Sequence, residues 1–209
     1  MKKADGGRPR AVKIALPEPG GADLNSVEDA IRRRRSIRKF LPGPARLDHV
    51  GRLLWAGQGI TEEGGARAAP SAGGTYPLIL YLIAGEVDGL PAGLYKYRPT
   101  PHGLTRVSDR DLRGEVAAAA LAQQWIAGAP FTIVIVADYD RTTNRYGERG
   151  VRYVRMEAGH AAENIHLLAV TLGLGSTPVA AFEDRELQNL LELPDNEEPL
   201  YLVPVGSPR

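Results

Sequence analysis

The strongest periodic pattern along the chain is a stripe of apolar side chains between residues 151 and 172. Its members recur at spacings of three and four: Val151, Val154, Ala158, Ala161, Ile165, Leu168 and Leu172. This spacing predicts one long helix with a buried face, and Gly173 follows as its C-terminal cap. Small residues occupy the middle of the stripe, so a second helix can approach closely there. That helix could belong to the same subunit or to a second copy of the chain.

Shorter apolar segments predict the remaining elements. Continuous runs over residues 78–84 and 131–137 indicate buried strands, and residues 94–97 and 104–107 indicate a hairpin. A last strand is predicted over residues 200–205. Further helices are predicted over residues 26–35, 48–57, 109–121 and 184–191. No internal repeat separates these segments, and 209 residues fit one domain.

Glycine-rich, proline-rich and polar segments separate these elements. Residues 1–24 are rich in Lys, Gly and Pro and predict an N-terminal arm, which leaves residues 25–209 as a single domain. Residues 61–77 form a predicted loop, and a loop of such length in a compact domain is usually functional or disordered. Residues 138–150 are predicted as an exposed loop, and residues 175–183 as a connection after the long helix.

The balanced composition excludes several functions. Lys and Arg number 26 against 25 Asp and Glu, so the chain lacks the positive field of a duplex-binding protein. The absence of cysteine excludes disulfides, thiolate metal sites and cysteine nucleophiles. His160 and His166 lie six residues apart, the wrong spacing for a zinc helix. Both are therefore interpreted as core or surface histidines, and no metal site is predicted.

The sequence predicts no targeting signal. Lys2 and Lys3 are followed by polar and glycine residues rather than by an apolar stretch, so no signal peptide is predicted. The longest uncharged run, over residues 165–182, is interrupted by glycine and proline and does not suit a membrane-spanning helix. We therefore expect a cytoplasmic protein with no membrane segment.

One basic run stands out against this balance. Six basic side chains fall within the eight positions 32–39, while the whole chain has a formal net charge of only +1. Guanidinium groups and a hydroxyl at a helix end suit a phosphate dianion, because arginine presents a planar fork of permanent charge. The run therefore predicts a phosphate site made by Arg34, Arg35, Ser36 and Arg38. Two alternatives stay open: a solvated helix end, and a module that binds nucleic acid or another anionic surface.

Two loops have the composition of ligand-binding segments. Residues 70–77, Pro-Ser-Ala-Gly-Gly-Thr-Tyr-Pro, contain glycines that let backbone N–H groups approach a ligand closely. Residues 172–182 form an apolar loop in which Ala180 and Ala181 are small enough to lie flat against a ring system. Composition alone does not distinguish these segments from an ordinary turn and a helix-to-loop connection.

Five segments, in the same order along the chain, resemble motifs of the nitroreductase superfamily. They are residues 34–40 (Arg-Arg-Ser-Ile-Arg-Lys-Phe), 55–60 (Trp-Ala-Gly-Gln-Gly-Ile), 70–73 (Pro-Ser-Ala-Gly), 159–164 (Gly-His-Ala-Ala-Glu-Asn) and 173–178 (Gly-Leu-Gly-Ser-Thr-Pro). The resemblance covers residues 25–209, nearly the whole chain. Within the superfamily it is strongest to the branch related to the dehydrogenase of azoline-forming peptide modification (SagB or ThcOx type).

The resemblance implies a fold and a cofactor. The fold is α+β, with a central, mostly antiparallel sheet flanked by helices, a long central helix, and an intertwined homodimer with two FMN sites at the subunit interface. Arg34, Arg35, Ser36 and Arg38 match the phosphate and ring-edge contacts, and Pro70, Ser71, Ala72 and Gly73 match the segment contributed by the partner subunit. Val179, Ala180 and Ala181 match the stretch beneath the flavin ring, and Arg209 matches a C-terminal cation near the phosphate. Many relatives carry Glu at the position of Ala180, so only a main-chain role is expected there.

The implied activity is an FMN-dependent oxidoreductase with ping-pong kinetics. NAD(P)H would donate hydride at flavin N5, and a small nitroaromatic or quinone-like acceptor would then be reduced in the same place. No catalytic residue is predicted, because the cofactor carries the redox chemistry. Tyr76 and Phe182 are candidates to line the substrate face. The alternative is an azoline-oxidising dehydrogenase of peptide modification. Such enzymes commonly have an additional N-terminal domain, and we see none in this sequence, so we expect a stand-alone reductase.

Overall fold

The computed structural model describes residues 13–17 and 27–209. In this part of the chain the α-helices are α1 (Val27–Arg33), α2 (Leu47–Gln58), α3 (Arg113–Ala119), α4 (Asp140–Tyr146), α5 (Arg149–Thr171) and α6 (Asp184–Leu190). The strands are β1 (Lys13–Ala15), β2 (Leu78–Ala84), β3 (Gly93–Arg98), β4 (Gly103–Ser108), β5 (Phe131–Asp138), β6 (Gly175–Ser176) and β7 (Glu197–Gly206).

The strands form one sheet in the order β1-β4-β3-β2-β5-β7-β6. All pairings between these strands are antiparallel, and the central pair runs from Leu78 opposite Ala137 to Ala84 opposite Phe131. Strand β2 is buried along its whole length. Because both of its faces are covered, it is a continuous apolar run rather than an alternating one.

Helices cover both faces of this sheet. Leu80 and Ile135 share one buried cluster with side chains of α2 and α5. Tyr81 and Val134, the neighbouring positions on the same strands, share the opposite cluster with side chains of α3 and α6. This division follows from the two-residue period of a strand. The α+β fold with a central antiparallel sheet is therefore confirmed.

The predicted long helix is confirmed as α5, which packs against α2 on one face of the sheet. Its buried side includes Val154, Ala158 and Ile165. Close packing depends on Gly57 of α2, where an added Cβ would lie 2.9 Å from Cδ1 of Leu80 and 3.0 Å from Cδ1 of Ile165. Glycine at this position therefore lets α2 approach both β2 and α5.

The prediction of an exposed loop over residues 138–150 is wrong. Helix α4 and the start of α5 occupy this stretch. Thr142 is the buried residue of α4, so the helix has no apolar period by which to recognise it. A polar contact links the helix to the preceding loop, since the hydroxyl oxygens of Thr142 and Thr75 lie 2.7 Å apart.

Part of the predicted N-terminal arm joins the sheet. Lys13–Ala15 form β1, which pairs with β4 and places Ile14 opposite Leu104. Residues 1–12 and 18–26, including most of that arm, lie outside the described residues. None of the helices in the described ranges is long and apolar enough to cross a membrane.

Candidate functional site

The basic run begins in the last turn of α1 and continues along the β6 edge of the sheet. The N–H of Ile37 donates to the carbonyl oxygen of Ser176 (3.0 Å), and the hydroxyl of Thr177 donates to the carbonyl oxygen of Ile37 (2.7 Å). Gly175 permits this approach, because a Cβ there would lie 2.7 Å from Cβ of Ile37. The run is thus anchored to the segment that follows α5.

Three arginines of the run interact with the end of α1. Asp29 pairs with Arg32 (2.5 Å) and Arg33 (2.6 Å). Arg35 donates from Nη1 to the carbonyl oxygens of Arg32 (3.0 Å) and Arg34 (2.7 Å). The two bonds from Arg35 satisfy carbonyl oxygens at the C-terminal end of α1, where cations are favoured, whereas Asp29 lies in the first turn of the helix. Arg35 therefore has a local structural role, while its predicted ligand contact stays a prediction.

Arg34 is held by a buried histidine. Its Nη1 lies 3.1 Å from Nε2 of His166, and Nδ1 of His166 lies 2.5 Å from Oγ of Ser176. Nε of Arg34 also lies 3.8 Å from a carboxylate oxygen of Glu163. Burial, and then the positive charge of Arg34, lowers the pKa of His166 to about 4. The imidazole is therefore neutral near pH 7.

Ser36 and Arg38 follow Arg34, whose N–H still donates to the carbonyl oxygen of Ala30 at the end of α1 (2.9 Å). Ser36 forms a β-bridge with Ser176, and the following Ile37 faces the sheet edge. Ser36 is exposed, and the guanidinium carbon of Arg38 lies 5.8 Å from the ring centroid of Trp125. The Ser36 side chain and the Arg38 side chain are thus both exposed on the segment that follows α1.

The C-terminal segment runs beside the same stretch. The N–H of Leu41 donates to the carbonyl oxygen of Ser207 (2.9 Å), and the N–H of Arg209 donates to the carbonyl oxygen of Lys39 (3.1 Å). These backbone bonds bring Arg209, separated from the run by most of the sequence, next to it. The two predicted sources of cationic charge are therefore neighbours.

The segment after β6 runs along β7. Val179 and Leu202 exchange both backbone hydrogen bonds, at 2.8 and 2.9 Å, so the N–H of Val179 already has an acceptor. Ala180 and Ala181 are exposed, and Nε2 of Gln123 donates to the carbonyl oxygen of Ala181 (3.1 Å). The half-buried Phe182 packs against the core on the α3 and α6 side. Ala180 and Ala181 are thus the accessible members of this segment.

The 70–76 loop is shaped by hydrogen bonds to its own backbone and by α4. Gly73 and Tyr76 both have positive φ angles, of 60° and 47°. The N–H of Tyr76 donates to Oγ of Ser71 (2.9 Å), and Nη1 of Arg145 donates to the carbonyl oxygen of Gly73 (2.9 Å). The guanidinium carbon of Arg67 lies 4.8 Å from the centroid of the Tyr76 ring. Pro70 and Gly73 are exposed, and Ser71 and Ala72 are half-buried.

A buried carboxyl group lies behind this loop. Glu157 of α5 is 3% exposed, and among the described residues its Oε1 has no hydrogen-bond partner. Burial raises the pKa of Glu157 to about 7, although the Ser71 hydroxyl and the Arg67 charge act in the opposite direction. An unsatisfied buried oxygen is costly, so this position suits a bound group that can share a proton with it.

The loop and the basic run contact different parts of α5. Glu157 marks the level of the loop, and His166, nine residues later, marks the level of the run. A rise of 1.5 Å per residue puts these levels about 14 Å apart along the helix axis. The run, Arg209 and the 179–181 segment are thus grouped by the fold, whereas the 70–73 loop lies at a second place on the same subunit.

An apolar groove runs between α1, α2 and α5. Its volume is about 670 Å³, and its lining includes Val27, Trp55, Leu167 and Leu168. Val27 is 66% exposed, and Ile31 on the same helix is 57% exposed. Apolar surface of this extent is typical of a face that contacts another protein chain.

Comparison with known proteins identifies the family. A model of the nitroreductase family matches residues 31–207. The chain belongs to the nitroreductase family. A candidate nitroreductase of Methanocaldococcus jannaschii is 45% identical to it over 195 residues, which cover 93% of this chain and 96% of that protein. The predicted superfamily is therefore confirmed.

Two further relatives of this chain bear more specific names. An FMN reductase [NAD(P)H] of Bacillus subtilis is 30% identical over 118 residues, which cover 49% of this chain and 47% of that protein. The trifolitoxin operon protein TfxC of Rhizobium leguminosarum is 27% identical over 196 residues, which cover 86% of this chain and 55% of that protein. The second relative agrees with the predicted likeness to the peptide-modifying branch.

A solved structure resembles the whole nitroreductase chain. The crystal structure of a candidate nitroreductase from Ralstonia eutropha has a TM-score of 0.82 and 28% sequence identity, and the match covers 100% of this chain and 98% of that one. The members of this family are oxidoreductases, so the family match assigns an oxidoreductase function to this chain but no particular donor or acceptor. Among the described residues, no cluster of three metal-ligating side chains occurs.

Four residues around the candidate site were not predicted as site residues from the sequence: Gln123, Trp125, His166 and Ser176. His166 was interpreted as a core or surface histidine, and it is buried. Its neighbour Arg34 is 132 residues away in the chain, so no local pattern indicates the contact. Gln123 and Trp125 lie on a short turn before β5, where only the tertiary fold brings them to Ala181 and Arg38.

Proposed function

We propose that this protein is an FMN-dependent oxidoreductase that takes electrons from NAD(P)H and reduces a small nitroaromatic or quinone-like acceptor. The observation that carries the proposal is that the segment with Arg34, Ser36 and Arg38 is anchored to β6 in a chain that belongs to the nitroreductase family. The relative named as an FMN reductase supports a flavin as the cofactor. When bound, the flavin would supply the hydride chemistry, and the protein would supply binding and orientation.

The phosphate of FMN would be bound by Arg34, Ser36, Arg38 and Arg209. Guanidinium and hydroxyl donors of this kind form charge-assisted hydrogen bonds with a phosphate dianion. Arg32 and Arg33 would contribute little, because both already pair with the carboxylate of Asp29. We keep Arg35 as a proposed ligand, although its Nη1 donates to backbone carbonyl oxygens.

The flavin ring would lie against the 179–181 segment. Ala180 and Ala181 are exposed and small, so they offer a flat surface with main-chain donors. The N–H of Val179 is bonded to Leu202, which leaves the next two residues as the better candidates to face the ring. Tyr76 is our candidate for the substrate face; Phe182 is a weaker one, because its ring packs against the core.

We further propose that the site is shared between two subunits of a homodimer. The loop of Pro70, Ser71, Ala72 and Gly73 lies about 14 Å along α5 from the basic run of its own chain. In a dimer, this loop and the unpartnered Oε1 of Glu157 would approach the flavin bound by the partner's basic run. The apolar groove between α1, α2 and α5 supports a second copy of the chain as its occupant.

The presence of the cofactor can be measured directly. Purified protein should be yellow, and the chromophore released on denaturation should comigrate with FMN. A colourless protein that cannot be reconstituted with FMN would refute the proposal. Arg34→Ala with Ser36→Ala should weaken FMN binding at least tenfold without unfolding the chain, whereas Arg32→Ala, in the same run but paired with Asp29, should leave it unchanged.

Mixing two defective variants tests the shared site. One variant carries Arg34→Ala and Ser36→Ala, and the other carries Ser71→Trp to block the loop. If each site takes its run from one subunit and its loop from the other, mixed dimers contain one intact site and bind about half the wild-type amount of FMN. If both parts come from one subunit, the mixture binds no more FMN than the two variants do separately.

A second candidate function is an azoline-oxidising dehydrogenase of peptide modification. The relative from a toxin operon, TfxC, favours it. The two candidates differ in the electron donor, so anaerobic mixing of the oxidised protein with NADH or NADPH separates them. Bleaching of the flavin absorbance by a nicotinamide supports the reductase. Bleaching by an azoline-containing peptide, but not by either nicotinamide, supports the dehydrogenase.

A further inference from the structure

The contact between Arg34 and His166 defines the protonation state of the histidine. A guanidinium group has donors and no acceptor, so the atom of His166 that faces it across 3.1 Å, Nε2, must accept. A neutral imidazole with an unprotonated Nε2 carries its hydrogen on Nδ1. That hydrogen points to Oγ of Ser176, 2.5 Å from Nδ1, which therefore accepts. The geometry thus fixes a single tautomer.

We propose that His166 is a positioning residue, whose Nδ1–H tautomer links Ser176 to Arg34 and aims the guanidinium at the phosphate of the bound cofactor. The inference rests on the proposed FMN site, because Arg34 is there a phosphate ligand. His166 holds one edge of the guanidinium and leaves other N–H groups of Arg34 for an anion. Arg34 is thereby pre-oriented, which reduces the entropy that binding would otherwise cost.

The surroundings of His166 keep this link in place. His166 is 2% exposed and Ser176 is 1% exposed, so water cannot replace either partner easily. Ser176 belongs to β6, whose backbone also accepts from Ile37, in the middle of the basic run. The same strand therefore fixes the main chain of the run and, through His166, one of its side chains. The low pKa of the histidine, caused by burial and by Arg34, agrees with a neutral acceptor.

Variants of His166 separate the acceptor role from packing. The amide of His166→Gln reaches roughly the place of Nε2 and can still accept from Arg34, whereas the shorter amide of His166→Asn reaches only the place of Nδ1. His166→Leu fills space without any acceptor. We expect the dissociation constant for FMN, measured by quenching of flavin fluorescence, to stay within about threefold of wild type in His166→Gln. It should rise at least tenfold in His166→Asn and His166→Leu.

His160→Leu is the matched control, because His160 lies on the same helix and is exposed. It should bind FMN as the wild type does. Equal affinity of His166→Leu and wild type would overturn the proposal. So would equal losses in His166→Gln and His166→Leu, since a loss that a side-chain acceptor does not rescue reflects packing alone.

A measurement without flavin distinguishes failure of this inference from failure of the proposed function. Nitrogen-15 NMR of the flavin-free protein at pH 7 should show His166 as the neutral Nδ1–H tautomer, and Arg34→Ala should release it to a mixture. Protonation at Nε2 in the wild type would overturn the link itself. If the tautomer is fixed but the protein binds no FMN, the proposed function fails, and with it the role of the link in aiming Arg34 at phosphate.

Discussion

Arg145 donates a hydrogen bond of 2.9 Å from its guanidinium to the carbonyl oxygen of Gly73. Through this bond α4 lies directly on the glycine-rich loop that we assign to the flavin site. An added Cβ at Gly73 would lie 2.3 Å from Oη of Tyr146 and 2.8 Å from Nη1 of Arg145. Gly73 therefore lies against the ends of two α4 side chains, and a larger residue 73 has to displace them.

Gly73→Ala should separate the loop from α4. Alanine at a φ of 60° costs roughly 1–2 kcal/mol in backbone strain, and the steric contact adds to that cost. Gly74→Ala is the matched control, because Gly74 has a φ of 66° but its Cβ would meet nothing closer than 3.9 Å. Denaturant unfolding should show the larger loss for Gly73→Ala. Equal losses would mean that strain alone operates and that α4 adapts freely.

Gly175→Ala should displace the basic run from β6. Its Cβ would lie 2.7 Å from both Cβ and Cγ2 of Ile37, and a β-branched side chain has little freedom to move away. The bond from the N–H of Ile37 to Ser176 should weaken, with lower stability and lower FMN occupancy. Gly159→Ala, where nothing lies within 4 Å, should show neither effect. Unchanged FMN binding in Gly175→Ala would contradict the anchoring of the run by β6.

Glu157→Gln should stabilise the flavin-free protein, and more so at high pH. The folded-state pKa of Glu157 is raised from 4.5 to about 7, so the stability contributed by its proton is complete below about pH 4.5 and is lost as the pH rises through 7. At about 1.4 kcal/mol per pKa unit, the loss reaches roughly 3 kcal/mol. Urea unfolding at pH 5 and pH 8 should show a benefit that grows with pH. Glu63→Gln, in an exposed loop, controls for the removal of one charge.

The sheet and α5 could be predicted because local apolar patterns specify them. Residues 78–84 were predicted as a strand and form β2 with the same bounds, since a strand buried on both faces is a continuous apolar run. Strand β7, by contrast, begins at Glu197 rather than at residue 200. Glu197 is buried because Tyr81 and Lys96 bond to its carboxylate, and no local pattern reveals partners from two other strands.

In the candidate site, as in the fold, only the features that a local sequence pattern specifies could be predicted. The basic run could be recognised from its local charge excess, and the 70–77 loop from its glycines. The residues that support the run could not be recognised in this way. His166 lies on an apolar helix and Trp125 in a loop, and only the tertiary fold brings them to Arg34 and Arg38. Local composition thus indicates ligand-facing residues, whereas the residues that position them depend on contacts far apart in the chain.

Acid should destabilise the wild type more than His166→Gln. The folded-state pKa of His166 is lowered from 6.5 to about 4, so its contribution to stability is present above pH 6.5 and is lost as the pH falls through 4. The loss is on the order of 2–3 kcal/mol across that range. Thermal unfolding between pH 7 and pH 4 should give a shallower slope for His166→Gln, whereas His160→Gln should follow the wild type. Parallel slopes for all three proteins would exclude a buried neutral histidine.

Lys96→Met should destabilise the sheet by leaving Glu197 without its cation. Nζ of Lys96 lies 2.8 Å from Oε1 of Glu197, whose other oxygen accepts from the Tyr81 hydroxyl at 2.7 Å. Because Glu197 is only 7% exposed, its charge is poorly solvated, and removal of one partner of a buried pair costs about 3–5 kcal/mol. The partial exposure of Lys96 places the expected loss at the lower end of that range.

The exposed pair of Arg46 and Asp48, also at 2.8 Å, provides the comparison for Lys96→Met. Arg46→Met should leave the free energy of unfolding nearly unchanged, because solvent screens a surface pair. The double variant Lys96→Met with Glu197→Gln should recover much of the loss, since it removes the unpaired charge but keeps an acceptor for Tyr81. If the double variant is no more stable than Lys96→Met alone, packing of the lysine stem rather than charge holds this part of the sheet.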